Sequence, residues 1–446
     1  MPAVAALTCT PPLLAAIGPA LFGLASIQLA VLLLASVNDF GVSRAVVLVA
    51  IEKGGFENRA ERISTVRAGV ELVAILAILV LLASVLGFFG AIAAGVSATE
   101  DRVISWLLIG LAAAISLPTL PMRARLEIEE RFGVLNLLRS LGSSTLFIAP
   151  LLAAWLSPTL EAIAIGHVVS RALMLVLYAM VAGSGTMGGL SQSIRTLAKV
   201  RKNTLRASDF PVHSQLLKRG GWIGAAGIVS MLTGYVDRFA LGFVVGVVAV
   251  ANYAIAAELA TKMWLVVGAF SAAATPRIAG GLAAAGDESW KSHFRLLSAA
   301  VISITFFAHA VIAITGNRLL SIWLGDDFRP EMTPLLTILS FGITINCISQ
   351  LNFLLLLIKG GERAAAKLQF LVLPATFIAS AIAAQLWGAT GVAWVFALRL
   401  IIDAYVIRLF VFHRAGNIGI SNGMLSVATG VALIMTVLSL IWKNSS

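Results

Sequence analysis

The chain has 446 residues, 59% of them hydrophobic and 12% charged, with a formal net charge of +11. So few charges cannot cover a soluble protein of this length, which excludes a soluble globular fold. Two cysteines, Cys9 and Cys347, both in apolar sequence, give no disulfide framework and no cysteine metal cluster.

Apolar runs long enough to cross about 30 Å of hydrocarbon recur from end to end. They predict spans near 3–17, 20–51, 68–95, 103–121, 137–157, 160–184, 221–246, 248–275, 296–316, 331–358, 368–387, 389–413 and 423–442. The first is short, so either that helix is truncated or the true start lies upstream of Met1. No Lys or Arg precedes Arg44, so a basic leader region is missing, and Thr8 is a poor residue before Cys9 for lipoprotein cleavage.

The positive charge follows the loops. Of the 32 Lys and Arg, 23 lie in alternate loops at 52–67, 122–139, 186–219, 277–295, 359–367 and 408–414. The intervening loops and the C-terminal end hold only Arg102, Arg318, Arg329 and Lys443. The positive-inside rule places the first set in the cytoplasm. The spans hold five bases and five acids, which cancel, so topology accounts for the whole excess. The basic run "RTLAKVRKNTLRASDF" (195–210) therefore reads as a solvated cytoplasmic loop and calls for no nucleic acid. Outer loops such as 157–160, 246–250 and 387–391 are too short to host an extracellular active site.

The longest hydrophilic segment falls near mid-chain. This predicts an N-terminal helix bundle over 1–185, a basic cytoplasmic linker over 186–219, a C-terminal bundle over 220–414 and an extra transmembrane helix in 415–446. "IGPALFGLASIQLA" (17–30) and "VGVVAVANYAIAAELA" (245–260) occupy matching positions. Each starts with an apolar residue and a glycine, turns tightly on the outer side and re-enters as a small-residue helix. That is the pattern of a parallel internal repeat. The fold class is all-α integral membrane, with 12–13 transmembrane helices in two six-helix pseudo-repeat bundles.

"YVDRFALGFVVG…ANYAIAAELATK" followed by "TPRIA" (275–279) resembles the seventh and eighth helices of bacterial polysaccharide (O-antigen type) flippases, of the multidrug/oligosaccharidyl-lipid/polysaccharide exporter superfamily. "GPALFGLASIQLAVLLLASVNDFGVSRAVV" (18–47) resembles their first turn and second helix. "LLSIWLGDDF" (319–328) and "GATGVAWVFALRLIIDAYV" (388–406) are similar to later signatures. The short first helix and a thirteenth span depart from the usual twelve or fourteen. The resemblance implies a flippase of the bacterial cytoplasmic membrane. It would carry a polyprenyl-pyrophosphate-linked oligosaccharide through a central cavity exposed alternately to each side. The implied partners are that lipid-linked substrate, the bilayer and glycan-assembly proteins such as a polymerase.

Ionisable residues inside spans are costly and mark function or pairing. Here they are Asp39, Arg44, Arg171, Asp237, Arg238, Glu258, Lys262, Arg399 and Asp403. Glu258/Lys262 and Arg399/Asp403 are spaced i, i+4, share a helix face and can pair. Asp39 and Arg44 read as bracing within the helix or between helices. Arg171 has no acid on its own helix, so it should find an acid from elsewhere or a substrate phosphate. Arg238 is expected to face the cavity and Asp237 to reach a basic group on a neighbouring helix. Arg171, Arg238, Lys262 and Arg399 are the candidate pyrophosphate contacts, and a pyrophosphate could compete with Glu258 for Lys262. Asp39, Asp237, Glu258 and Asp403 are the candidate coupling or pairing acids. Asn346, Gln350 and Asn352 crowd one span, either bonding between helices or contacting sugar hydroxyls. His309 reads as a satisfied packing histidine, with proton coupling as its alternative.

The near rival is a cation-coupled multidrug exporter, which would favour acids over bases in its cavity. A membrane glycosyltransferase or polymerase would need catalytic groups gathered on a sizeable loop or at a metal, and no such cluster has ligand spacing. No nucleotide-binding glycine loop is present, and no cofactor is expected.

Overall fold

The computed structural model describes residues 2–36, 59–93, 100–183, 229, 231–271, 278, 289–358, 362–415 and 422–445. The predicted linker 186–219 and the candidates Asp39 and Arg44 lie outside the described residues. No strand occurs among them, as expected where lipid offers no hydrogen-bond partners and each apolar segment must satisfy its own backbone. Nine helical segments among the described residues are long and apolar enough to cross a membrane. The chain forms two compact units, Met1–Leu232 and Thr233–Ser446.

In the first unit, α1 (Pro2–Ser36) is broken at Gly18, and α2 (Arg59–Ala93), α3 (Glu100–Ser116), α4 (Thr119–Ile128), α5 (Phe132–Leu156) and α6 (Leu160–Gly183) follow. α6 packs against α3 and α5, and α1 packs against α5 and α3. One core layer takes Leu32, Ile109, Leu146 and Ala164 from four different helices. A second, toward the predicted cytoplasmic end, gathers Leu126, Leu135, Leu138, Met174 and Tyr178. α2 leaves Ile78, Leu79, Leu82 and Leu86 exposed, a surface suited to lipid.

Residues 122–139 differ from the loop expected there. After a turn at Leu117–Pro118 the chain resumes as α4 and runs to Ile128. Most of its charges are held in pairs, Arg123 being an exception. Arg125 Nε donates to Glu129 Oε1 at 2.9 Å, and Arg139 pairs with Glu127. Arg131 donates to the carbonyl of Val181 at 3.1 Å, capping the end of α6. Neutralised in this way, the segment can lie against the bundle, and Arg125 becomes buried.

The second unit begins within α7 (231–244), at Thr233, and continues with α8 (Val247–Ala260), α9 (263–271), α10 (Ser289–Leu324), a 3-10 turn (Gly325–Asp327), α11 (Met332–Ile358), α12 (Glu362–Ala415) and α13 (Asn422–Ser445). α11 is the mast of this unit, packing against α8, α10, α12 and α13. It is buried on nearly all sides, and its buried Ser, Thr and Asn side chains are part of what it packs with. At 1.5 Å per residue, the 54 residues of α12 would reach about 80 Å, far beyond one bilayer crossing. Gly388 (φ 60°, ψ −143°) breaks it where the sequence predicts a boundary between spans.

The glycines heading the two matching stretches share a backbone conformation. Gly18 has φ 72° and ψ 169°, and Gly246 has φ 118° and ψ 171°. Positive φ with extended ψ is accessible to glycine alone without strain. A Cβ built at Gly246 would meet nothing within 4 Å, so the penalty there is purely one of backbone conformation. Gly246→Ala should lower stability by about 1–2 kcal/mol, read from unfolding in mixed micelles. An unchanged midpoint would mean that the turn relaxes into another conformation.

Candidate functional site

The stretch from α7 to Lys262, just past α8, carries four of the six ionisable side chains that the sequence flags in the second unit. The turn at Gly246 folds α8 back, and Tyr253 then comes opposite Asp237. Its hydroxyl donates to Asp237 Oδ2 at 2.5 Å, and the backbone N–H of Arg238 donates to Oδ1 at 2.8 Å. Asp237 is 5% exposed and Tyr253 fully buried. The partner of Asp237 is thus a phenol rather than the expected basic group. The guanidinium groups of Arg238 and Arg399 act on it only from a longer electrostatic range. Arg238 turns instead over the ring of Tyr235, 4.8 Å from its centroid, as a cation–π contact.

The two i, i+4 pairs diverge. Lys262 pairs with Glu258, both side chains half-buried. Arg399 and Asp403 form no ion pair among the described residues. Arg399 lies over Phe396 at 5.2 Å with its Nε unbonded, and Asp403 Oδ1 is buried without a hydrogen bond. Residue order alone does not decide the difference, since Arg125 and Glu129 pair with the base first at the same spacing.

The amides on α11 work across helices. Asn346 Oδ1 accepts from Trp264 Nε1 at 3.0 Å and from Gln350 Nε2 at 3.3 Å. Asn352 is fully buried. His309, also buried, has both ring nitrogens bonded to hydroxyls. Nδ1 meets Ser340 Oγ at 2.9 Å, and Nε2 meets Thr436 Oγ1 at 3.1 Å.

In the first unit, Arg171 finds neither an acid nor, among the described residues, any other counter-charge. It is 4% exposed. Nη2 donates to the carbonyl of Gly142 on α5 at 2.6 Å and to Ser170 Oγ at 3.2 Å, and Nε has no partner. Arg123 on α4 lies within electrostatic range of it. In the second unit Asp237 has Arg238 and Arg399 within electrostatic range, and Glu258 acts on Tyr235, over which Arg238 lies. In the first unit, Arg171 has Arg123 and Tyr178 within electrostatic range.

Sequence reasoning passed over Tyr178, Tyr253, Arg123 and the buried pair Gln28–Ser105, in which Nε2 donates to Oγ at 2.8 Å. A signal for the tyrosines was available. The chain uses 22 Phe and only 4 Tyr, so each phenol hydroxyl in a span stands out as a polar group to be accounted for. No set of three or more His, Cys, Asp or Glu among the described residues is arranged to hold a metal.

No family model matches the chain. It is 23% identical over 400 residues to a Shigella flexneri protein assigned as an O-antigen transporter, covering 88% of this chain and 90% of that one. Among solved structures it is similar to an inward-facing multidrug resistance MATE family transporter of the MOP superfamily. The TM-score is 0.73 at 13% identity, covering 95% of each chain. It is also similar to the lipid II flippase MurJ in an inward closed conformation. That TM-score is 0.68 at 13% identity, covering 100% of this chain and 97% of the other. The chain has the all-helical fold of the MOP-superfamily transporters, and the relationship to an O-antigen transporter runs along nearly its whole length.

Proposed function

We propose that this chain is a flippase of the bacterial cytoplasmic membrane that moves a polyprenyl-pyrophosphate-linked oligosaccharide from the cytoplasmic to the outer leaflet by alternating access. The near-full-length relationship to an O-antigen transporter supports the class, and the fold shared with the lipid II flippase agrees with it. The observation that carries the anionic cargo is Arg171, a guanidinium sunk in an apolar bundle and answered only by a carbonyl and a hydroxyl. Such a group retains capacity for a phosphate oxygen. Arg238 and Arg399, held against aromatic rings rather than in ion pairs, extend the same property to the second unit. The relatives are a transporter and a flippase, and the chain is read as a carrier rather than a glycosyltransferase or polymerase.

One observation favours cation-coupled multidrug export, the buried Asp403 Oδ1 with no hydrogen bond. Reconstitution distinguishes the readings. Proteoliposomes holding a fluorescent polyprenyl-pyrophosphate sugar should show protein-dependent flipping, reduced at least about tenfold by Arg171→Ala, equivalent to about 1.4 kcal/mol. Transport of a cationic dye with no movement of the lipid-linked sugar would overturn the proposal.

A further inference from the structure

The charges at the predicted cytoplasmic end of the first unit fall into two groups. Arg125, Arg131 and Arg139 are answered by Glu127, Glu129 and the Val181 carbonyl. Arg123 and Arg171 have no carboxylate among the described residues, and each keeps a buried Nε without a hydrogen bond. Arg123 lies over the ring of Tyr178, 5.3 Å from its centroid, and Tyr178 is fully buried with a hydroxyl that bonds to nothing. Three donors in one neighbourhood are therefore unused.

Helical geometry arranges them in depth. Arg171 and Tyr178 lie seven residues apart on α6, nearly two turns, so they share a face about 10 Å apart along the axis. Tyr178 sits one turn before Val181, whose carbonyl Arg131 caps at the predicted cytoplasmic end. Arg123, which is partly exposed, meets Tyr178 at the shallower level, and Arg171 lies deeper. Two guanidinium groups within electrostatic range in an apolar bundle repel unless an anion joins them. Unbonded buried donors are costly to leave empty. A phosphate group meets both demands, since its oxygens accept from guanidinium and phenol alike.

We propose that Arg123, Arg171 and Tyr178 form a phosphate-binding subsite in the first unit, loaded past Arg123 by the phosphate group of an anionic lipid of the cytoplasmic leaflet. The identification of that lipid as the polyprenyl-pyrophosphate cargo rests on the flippase reading, whereas the subsite itself does not. Neutralising the arginine pair would seat the head group before any movement across the membrane.

The test titrates radiolabelled inorganic pyrophosphate onto the full-length protein in phosphatidylcholine nanodiscs. Saturable binding is expected, weakened at least about tenfold by Arg123→Gln and about threefold by Tyr178→Phe, the ranges of a charge-assisted and a neutral hydrogen bond. Arg139→Gln, which disturbs only the pair with Glu127, should bind as wild type. Arg123→Gln shortens a partly exposed side chain and Tyr178→Phe removes a single oxygen, so the test stands even if Arg171 variants fail to fold. Competition by polyprenyl pyrophosphate in the discs would assign the subsite to the cargo, and competition by phosphatidylglycerol would assign it to bulk anionic lipid. No saturable binding, or binding indifferent to Arg123→Gln and Tyr178→Phe, would overturn the subsite. Intact, Arg123-dependent binding by a protein that flips no lipid-linked sugar would instead remove the flippase reading and leave the subsite standing.

Discussion

Replacing Gly342 with valine should destabilise the second unit by about 3 kcal/mol, the upper range for overpacking a well-filled contact. A Cβ at this position would lie 2.6 Å from the Cα of Ala397 and 2.9 Å from its Cβ. The obstruction is thus the backbone of α12, not the movable end of a side chain. Close approach of small residues is how membrane helices gain packing contact where lipid removes the hydrophobic drive between them. α11 is the helix against which α8, α10, α12 and α13 all pack, so pushing it away from α12 disturbs the centre of the unit. The measurement is the unfolding midpoint of the full-length variant in mixed micelles. Ala397→Gly in the Gly342→Val background should recover part of the loss, because it removes the Cβ from the contact. A Gly342→Val protein as stable as wild type would show that α11 and α12 can separate freely.

The second large effect is expected at Asp237. Asp237→Ala should lower stability by about 3 kcal/mol, because it orphans the buried Tyr253 hydroxyl and removes the carboxyl that faces the guanidinium groups of Arg238 and Arg399. Tyr253→Phe alone should cost about 2 kcal/mol, the worth of a hydrogen bond to a charged group. In the Asp237→Ala background the phenol has nothing left to bond, so adding Tyr253→Phe should cost little more. The coupling energy of the cycle should therefore approach the full cost of Tyr253→Phe. Strict additivity would mean that the contact between Tyr253 and Asp237 carries no stability of its own.

The architecture was legible because the membrane imposes it. A chain with apolar runs of this length can only be helical, and Gly246 and Gly388 mark turns that the hydropathy pattern already separates. Partners were less legible, because each depends on which helices meet. Glu258 and Lys262 lie on one helix, and their pairing follows from spacing alone. The counterpart of Asp237 is 16 residues away across a turn, and that of Gln28 is 77 residues away. Neither separation has a periodic signature. Arg171 shows a different gap, since its main acceptor is the carbonyl of Gly142, and a backbone atom carries no residue type to read. At 122–139 a dense run of charges imitates a solvated loop, because the internal pairing that lets it lie against the bundle appears only in three dimensions.

The bonding of His309 also bears on how the chain is made. Its imidazole is fully enclosed, with one nitrogen served by Ser340 and the other by Thr436, which the ribosome adds 127 residues later. Until α13 enters the membrane, that second nitrogen has no protein partner from this clasp, at a cost of about 1–3 kcal/mol if it stays buried. Newly inserted α10 and α11 must therefore wait in a looser arrangement. The arrival of α13 closes the clasp, so the final tightening of this unit is tied to a late step of biogenesis rather than to the insertion of the helices it joins.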